Sequence, residues 1–251
     1  MPNLKIAVGI NSLSVSQYAA YTNHLQFFFR LGRSSNTDLI LVNPSRMSID
    51  KMRNMTAQVA LDNNCDFVLF LDDDVIVPTD GLDKLLMTGA DICAGDVIIR
   101  GYPFEHMAFR YVEANQLSPI KDWDSNSMDA IEEVDAVGFS FCLISTKLIR
   151  KVEAPYFVTG PYNTEDIYFC IKARKAFPNC SIAVRKDVKC GHILWSEIIT
   201  PDNHKLYAEY WKSQNQVLDA PKPDPKPLKA QEFSTTYEDV VLADMYDQKS
   251  H

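Results

Sequence analysis

Phe67-Val68-Leu69-Phe70-Leu71-Asp72-Asp73-Asp74-Val75 is the stretch that decides the fold. Its first five residues are apolar without alternation, which reads as a strand buried on both faces. Three carboxylates follow immediately. Strands buried on both faces belong to parallel sheets covered by helices, and such sheets bind ligands beyond the carboxyl ends of their strands. Three adjacent acids cannot sit unpaired in a core, because burying charge is costly. They repel one another unless a cation is present. Hard divalent ions take oxygen ligands, so Asp72, Asp73 and Asp74 are candidates for holding Mg²⁺ or Mn²⁺ beside a diphosphate. A solvated acidic turn is the structural alternative.

Outward from this strand, strand-like and helix-like segments alternate. Residues 5–10 and Thr37 to Val42 read as two more strands. Residues 15–31 read as a helix with Tyr18, Leu25, Phe28 and Phe29 among its apolar positions. Ser48 to Leu61 reads as a second helix, with Ile49, Met52, Met55 and Val59 at near-helical spacing. Pro78 to Leu86 begins a third helix and Asp91 to Ile99 makes a further strand. Residues 107–113 and 131–145 are read as strands with a possible antiparallel pairing. A helix over Thr164 to Phe177, a short strand near Ile182 to Val184 and a last helix over Asp202 to Val217 follow. The expected fold class is therefore α/β, with a mostly parallel central sheet flanked by helices and a smaller antiparallel part.

Pro221, Pro223, Pro225 and Pro227 exclude helix and central strand and mark an extended linker. The chain divides on this reading into a catalytic domain, 1–217, and a Pro-rich linker and tail, 218–251. Within the tail, residues 228–247 carry enough apolar side chains to dock on the catalytic domain or on a second copy of the chain, a route to a homo-oligomer.

The 251 residues are 46% hydrophobic, enough for a core, yet no apolar run approaches the roughly 18 residues of a membrane span. The net charge of -8 is unsuited to duplex DNA, which needs phosphate-neutralising Lys and Arg. Glu113 to Asp135 holds seven acids and one Lys, and reads as a solvated hairpin or loop. Six cysteines lack any CxxC spacing, which argues against a zinc site and for buried free thiols in a reducing, cytoplasmic setting.

Two further motifs carry chemistry. In Asn163-Thr164-Glu165-Asp166-Ile167, Thr164 is placed to cap a helix and the two acids lie in its first turn, where the helix dipole favours them. The same acids are candidates for a base that activates a hydroxyl nucleophile. In Val188-Lys189-Cys190-Gly191-His192, the glycine lets the backbone approach a ligand, and an imidazole beside carboxylate and phosphate oxygens suits Mn²⁺.

The order of these motifs resembles the GT-A fold glycosyltransferases, family 2-like in the broad sense. The likeness covers residues 4 to 195: a strand ending in a DxD motif, a Glu-Asp pair opening a helix, then a strand leading to Gly-His. Arg53 and Asn54 resemble the Arg-Asn pair on the helix before the DxD strand of many such enzymes. The resemblance implies a Rossmann-like sheet with the antiparallel part on the acceptor side. It also implies a nucleotide-diphosphate sugar donor, a UDP-sugar first among them, and Mn²⁺ or Mg²⁺ held by Asp74 and His192. By the same likeness Asp72 contacts ribose or the metal's waters and Asp73 stands beside it. Asn11, between Ile10 and Ser12, lies near the base, Arg53 and Asn54 lie on the donor, and Glu165 and Asp166 face the acceptor. Gly138 and Phe139 would line the acceptor side.

The chemistry is coherent with this likeness. Glycosyl transfer develops positive charge on the sugar and negative charge on the leaving diphosphate, and a metal with a cation such as Arg53 stabilises the latter. A dehalogenase-type phosphatase places its DxD after the first strand, with Thr or Val where this chain has Ile76. A sugar nucleotidyltransferase needs a Gly-rich, Arg-bearing loop that Gly9-Ile10-Asn11-Ser12-Leu13 does not supply. The acceptor stays open between a glycan, another hydroxyl compound and, as in some phage enzymes, hydroxylated bases in DNA. A catalytically inactive GT-A domain that binds a sugar nucleotide or a partner is the non-enzymatic alternative.

Overall fold

A computed structural model describes residues 3–12, 17–33, 37–113, 116–124, 129–161, 163–194 and 197–215. Strands β1 (Leu4–Asn11), β2 (Thr37–Val42) and β3 (Phe67–Asp72) alternate with helices α1 (Tyr18–Gly32) and α2 (Ile49–Asp62). Next come β4 (Val75–Ile76), α3 (Gly81–Thr88) and β5 (Ile92–Asp96). The middle holds β6 (Ala108–Glu113), β7 (Gln116–Pro119), β8 (Ile131–Glu133), β9 (Ala136–Val137), β10 (Phe141–Ser145) and α4 (Thr146–Ile149). The chain continues through α5 (Glu165–Ala176), β11 (Ile182–Lys189), β12 (Gly191–Leu194), β13 (Glu197–Ile199) and α6 (His204–Asn215).

Seven strands form the central sheet in the order β2-β1-β3-β10-β5-β11-β8. β1 runs parallel to β2 and β3, and β5 parallel to β11. β10 is antiparallel to both its neighbours, and β8 is antiparallel to β11. Five of the seven strands thus share one direction. Two three-stranded antiparallel sheets, β13-β12-β4 and β7-β6-β9, lie beside it.

The stretch 131–145 is not one strand. Phe141-Cys142-Leu143-Ile144 is apolar on both faces and enters the middle of the sheet as β10, whereas Glu132 and Glu133 keep β8 at its edge. β11 also runs past Val184 to Lys189, because Val184, Lys186 and Val188 alternate inward with Arg185 and Asp187 outward. The buried Lys186 is tolerated because its Nζ lies 3.2 Å from Glu132 on β8.

Each central strand feeds two cores. Val68 and Phe70 of β3 pack with α2 and α5, while Leu69 and Leu71 pack with α1 and α3. The helix faces differ from the sequence expectation. α1 buries Ala20, His24, Phe27 and Leu31, leaving Tyr18, Leu25 and Phe29 exposed and Phe28 partly buried. α2 buries Met52, Arg53, Thr56, Ala57 and Ala60, leaving Met55 exposed. On α2 the close approach to β1 limits one position: a Cβ on Gly9 would meet Thr56 Cγ2 at 2.7 Å, so a small residue stands opposite it.

The six cysteines are buried and unbonded. Among the described residues no helix is long and apolar enough to cross a membrane. The chain divides into a unit Met1–Lys212 and a unit Ser213–His251. The expectations for the start of the first helix, for residues 216 and 217, and for the linker and tail at 218–251 lie outside the described residues.

Candidate functional site

β3 ends at Asp72, and its register with β1 sets Asn11 directly beside that residue. The chain turns through Asp73 and Asp74 into β4. This turn is clamped from two sides. On α1, Asn23 accepts from the Val77 N–H at 2.8 Å and donates to the Val77 carbonyl at 3.0 Å, and His24 Nε2 bonds the Val75 carbonyl at 2.8 Å. On the other side β12 pairs with β4, His192 opposite Val75, and the Ile193 N–H donates to the Asp74 carbonyl at 2.9 Å. Gly191 has a packing reason rather than a ligand-approach one: a Cβ there would meet Ile198 Cγ2 at 2.6 Å.

Asp74 and His192 are thereby brought together. His192 is buried, and its Nδ1 lies 2.7 Å from the Ile98 carbonyl. With Nδ1–H donated to that carbonyl, Nε2 is the ring nitrogen that faces Asp74 Oδ1, 3.6 Å away. The other Asp74 oxygen meets Arg100 Nη1 at 2.7 Å. Burial opposes the charge on Asp74, but His192 and Arg100 outweigh it and hold the carboxyl below the ordinary aspartate value. Asp72 faces the opposite way, toward Arg53, whose Nη2 is 3.3 Å from Oδ1. Burial raises the Asp72 pKa against the pull of Arg53, and burial also raises that of Asp73, which Ser12 hydrogen bonding only partly offsets.

Arg53 is the hub of the site's inner wall. It projects from α2 and is almost wholly buried, with its guanidinium carbon 5.1 Å from the Phe70 ring centre and 5.4 Å from that of Phe139. Aromatic faces stabilise a desolvated guanidinium. Its Nε lies 3.1 Å from Glu165 Oε1. Among the described residues Nη1 of Arg53 and Oδ1 of Asn11 are buried without a hydrogen-bond partner, and Arg53 Nε meets Glu165 as an ion pair without hydrogen-bond geometry. Groups left in that state are unusual in native proteins and are consistent with a ligand completing them.

Glu165 and Asp166 open α5 as expected, with Thr164 at the N-cap position, but its hydroxyl bonds the Asp166 carboxylate and makes no capping hydrogen bond to the helix backbone. Asp166 Oδ1 accepts from the Thr164 hydroxyl and from the Ile167 N–H at 2.7 Å. Burial raises the Glu165 pKa despite the neighbouring Arg53.

Asn11, Arg53, Asp72, Asp73, Asp74, Glu165, Asp166 and His192 all line one cleft of about 440 Å³. Asn54 does not. Its amide donates to the Asp50 and Phe157 carbonyls, and its Oδ1 accepts from the Tyr156 and Phe157 N–H groups, so it ties α2 to that loop. Gly138-Phe139 lies beneath the cleft, with Phe139 fully buried under Arg53. Arg100, Ser140 and Met107 also line it and carried no sequence motif. A second cavity of about 420 Å³ adjoins the ends of β1 and β2, lined by Ile10, Ser12, Tyr21, Phe28, Asn43 and Ser45 among others.

Asp74 and His192 are the residues that could hold a hard divalent cation. Asp74 offers a carboxylate, and His192 an imidazole nitrogen whose partner nitrogen is fixed by a carbonyl, as ligating histidines usually are. Among the described residues no group of three His, Cys, Asp or Glu side chains converges, and Asp72 is turned to Arg53. The remaining positions would fall to ligand oxygens and water, which suits Mg²⁺ and Mn²⁺.

No family model matches the chain, and no curated protein matches it. Among solved structures it is similar to A197 from STIV, with a TM-score of 0.53 and 18% identity over 80% of this chain and 91% of that one. That likeness is one of fold.

Proposed function

We propose that the protein is a metal-dependent glycosyltransferase that moves a sugar from a nucleotide-diphosphate donor to a hydroxyl acceptor. The observation that carries this reading is the convergence of an Asp74–His192 pair, the Arg53 guanidinium and the Glu165–Asp166 pair in one cleft at the carboxyl end of β3. Ligands of open α/β sheets bind there.

Asp74 and His192 would hold the cation. Bound there, Mn²⁺ or Mg²⁺ would supply the positive charge that stabilises the departing diphosphate. Arg53 adds a second, rigid positive charge, held by Phe70 and Phe139 so that it needs little reorganisation. Asn11 and Asp72 lie at the β1 end of the cleft, beside the adjoining cavity with Tyr21, Phe28 and Asn43. That arrangement suits a ribose next to a base flanked by aromatic and amide groups. Glu165 is the preferred base for the acceptor hydroxyl, because burial raises its proton affinity above that of an ordinary glutamate. An acceptor of neutral character fits the net charge of -8 better than DNA bearing hydroxylated bases.

Thermal-shift measurements of the full chain with UDP-, GDP- and CMP-sugars, with and without Mn²⁺, test the reading. One donor should stabilise the protein only with Mn²⁺ present, and Asp74→Asn should remove that response. A protein indifferent to every donor would refute it.

A further inference from the structure

A second polar pocket lies across the segment Ile98 to Met107 from the main cleft. Arg100 and Met107 of this segment line the cleft, whereas Phe104, Glu105 and His106 line the pocket. The pocket measures about 180 Å³. That is below the roughly 300 Å³ at which drug-sized sites begin, and it suits a single ring.

Its floor is built from buried polar groups. Asp96 ends β5 and is only 1% exposed. One of its oxygens lies 2.6 Å from His106 Nδ1 and the other accepts from Trp123 Nε1 at 3.2 Å. Trp123 also stacks on the His106 ring, at 4.6 Å between centres. His204, at the start of α6, donates its Nδ1–H to the Phe104 carbonyl at 2.8 Å and stands edge-on to His106 at 4.8 Å. Both imidazoles are therefore anchored through Nδ1. No hydrogen bond to either Nε2 is made among the described residues. Lys121, Lys205 and Glu105 at the rim add donors and an acceptor.

An aromatic surface continues from the same elements. Tyr102 and Trp211 stack at 4.3 Å with an interplanar angle of 18°, and they are 47% and 42% exposed. Aromatic faces beside hydrogen-bonding groups match a pyranose, which presents an apolar C–H face and a rim of hydroxyls. Charge argues against a phosphate-rich polymer. Lys121, Lys205 and Lys212 are set among Glu105, Asp122, Asp124 and Glu209, which leaves no excess of cations.

We propose that the pocket formed by His106, His204 and Trp123, with the Tyr102–Trp211 platform, binds a neutral sugar ring of a carbohydrate acceptor. The assignment of that ring as acceptor rests on the glycosyltransferase reading of the cleft.

Saturation-transfer NMR on the full chain with the methyl glycosides of glucose, galactose, mannose and N-acetylglucosamine tests this. At least one glycoside should receive saturation. Trp211→Ala and Tyr102→Ala, both at half-exposed positions that do not empty the core, should each weaken its binding about tenfold. His106→Gln should weaken it as well. Sugar-nucleotide binding to the wild-type chain is measured in parallel. Nucleotide binding without any glycoside response would overturn the pocket and leave the cleft reading standing. Glycoside binding without nucleotide binding would keep the pocket and remove the cleft reading. Glycoside binding indifferent to all three substitutions, or preferential binding of a single-stranded oligonucleotide that salt abolishes, would also overturn the proposal.

Discussion

Arg53 and Glu165 meet at 3.1 Å through Nε and Oε1, with both side chains almost completely buried. The contact ties α2 to the first turn of α5. It also makes one guanidinium the counterion of two carboxylates, since Arg53 Nη2 reaches Asp72 on the other side.

Arg53→Met should therefore destabilise the fold strongly. It leaves Glu165 and Asp72 without a buried partner, a loss of about 3–5 kcal/mol by analogy with other broken buried pairs. Urea denaturation at neutral pH measures it. A loss below about 1 kcal/mol, the scale of exposed pairs, would show that solvent reaches the pair freely.

The raised pKa of Glu165 predicts two pH effects of opposite direction. The folded chain keeps this proton above the ordinary glutamate value of 4.5, where the unfolded chain has released it. The folded state then binds more protons, so stability falls as pH rises from 4.5 through the folded value. A base must be ionised, so turnover should rise across the same window. Denaturation and rate profiles of the wild type and Glu165→Gln check both, and the mutant should lose this group's contribution to the stability slope.

For the metal, Asp74→Asn and His192→Gln should each lower Mn²⁺ affinity in the presence of the nucleotide. Arg100→Ala should do the reverse for Mn²⁺ alone, because Arg100 occupies an Asp74 oxygen at 2.7 Å. Titration calorimetry separates these outcomes. Unchanged affinity in all three variants would remove Asp74 and His192 from metal binding.

The two acids of α5 should separate by their side effects. Glu165→Gln and Asp166→Asn should each lower turnover at least about a hundredfold, with donor affinity little changed. Asp166→Ala should also cost about 1 kcal/mol, because it removes the oxygen that accepts from the Thr164 hydroxyl and the Ile167 N–H at the helix start. Two active but early-melting mutants would reduce the pair to a helix start.

Much of this architecture was legible in the chain itself. The uninterrupted apolar run from Phe67 to Leu71 fixes a doubly covered strand, because no other placement buries both faces, and the acids after it must then lie at the sheet's carboxyl edge. Thr164 before Glu165 and Asp166 announces a helix start by the same local logic. What tertiary structure alone decided is how distant segments face one another. The reversal of β10 between β3 and β5 and the inward face of α2 depend on which segments become neighbours in space. Local periodicity does not carry that information. Arg53 looked like a donor contact and Asn54 its companion, yet a rotation of one residue along α2 sends the first into the cleft and the second onto the Phe157 backbone. Arg100 and the His106–Asp96 pair bore no motif, since their roles arise from a segment folded between two cavities and not from any spacing along the sequence.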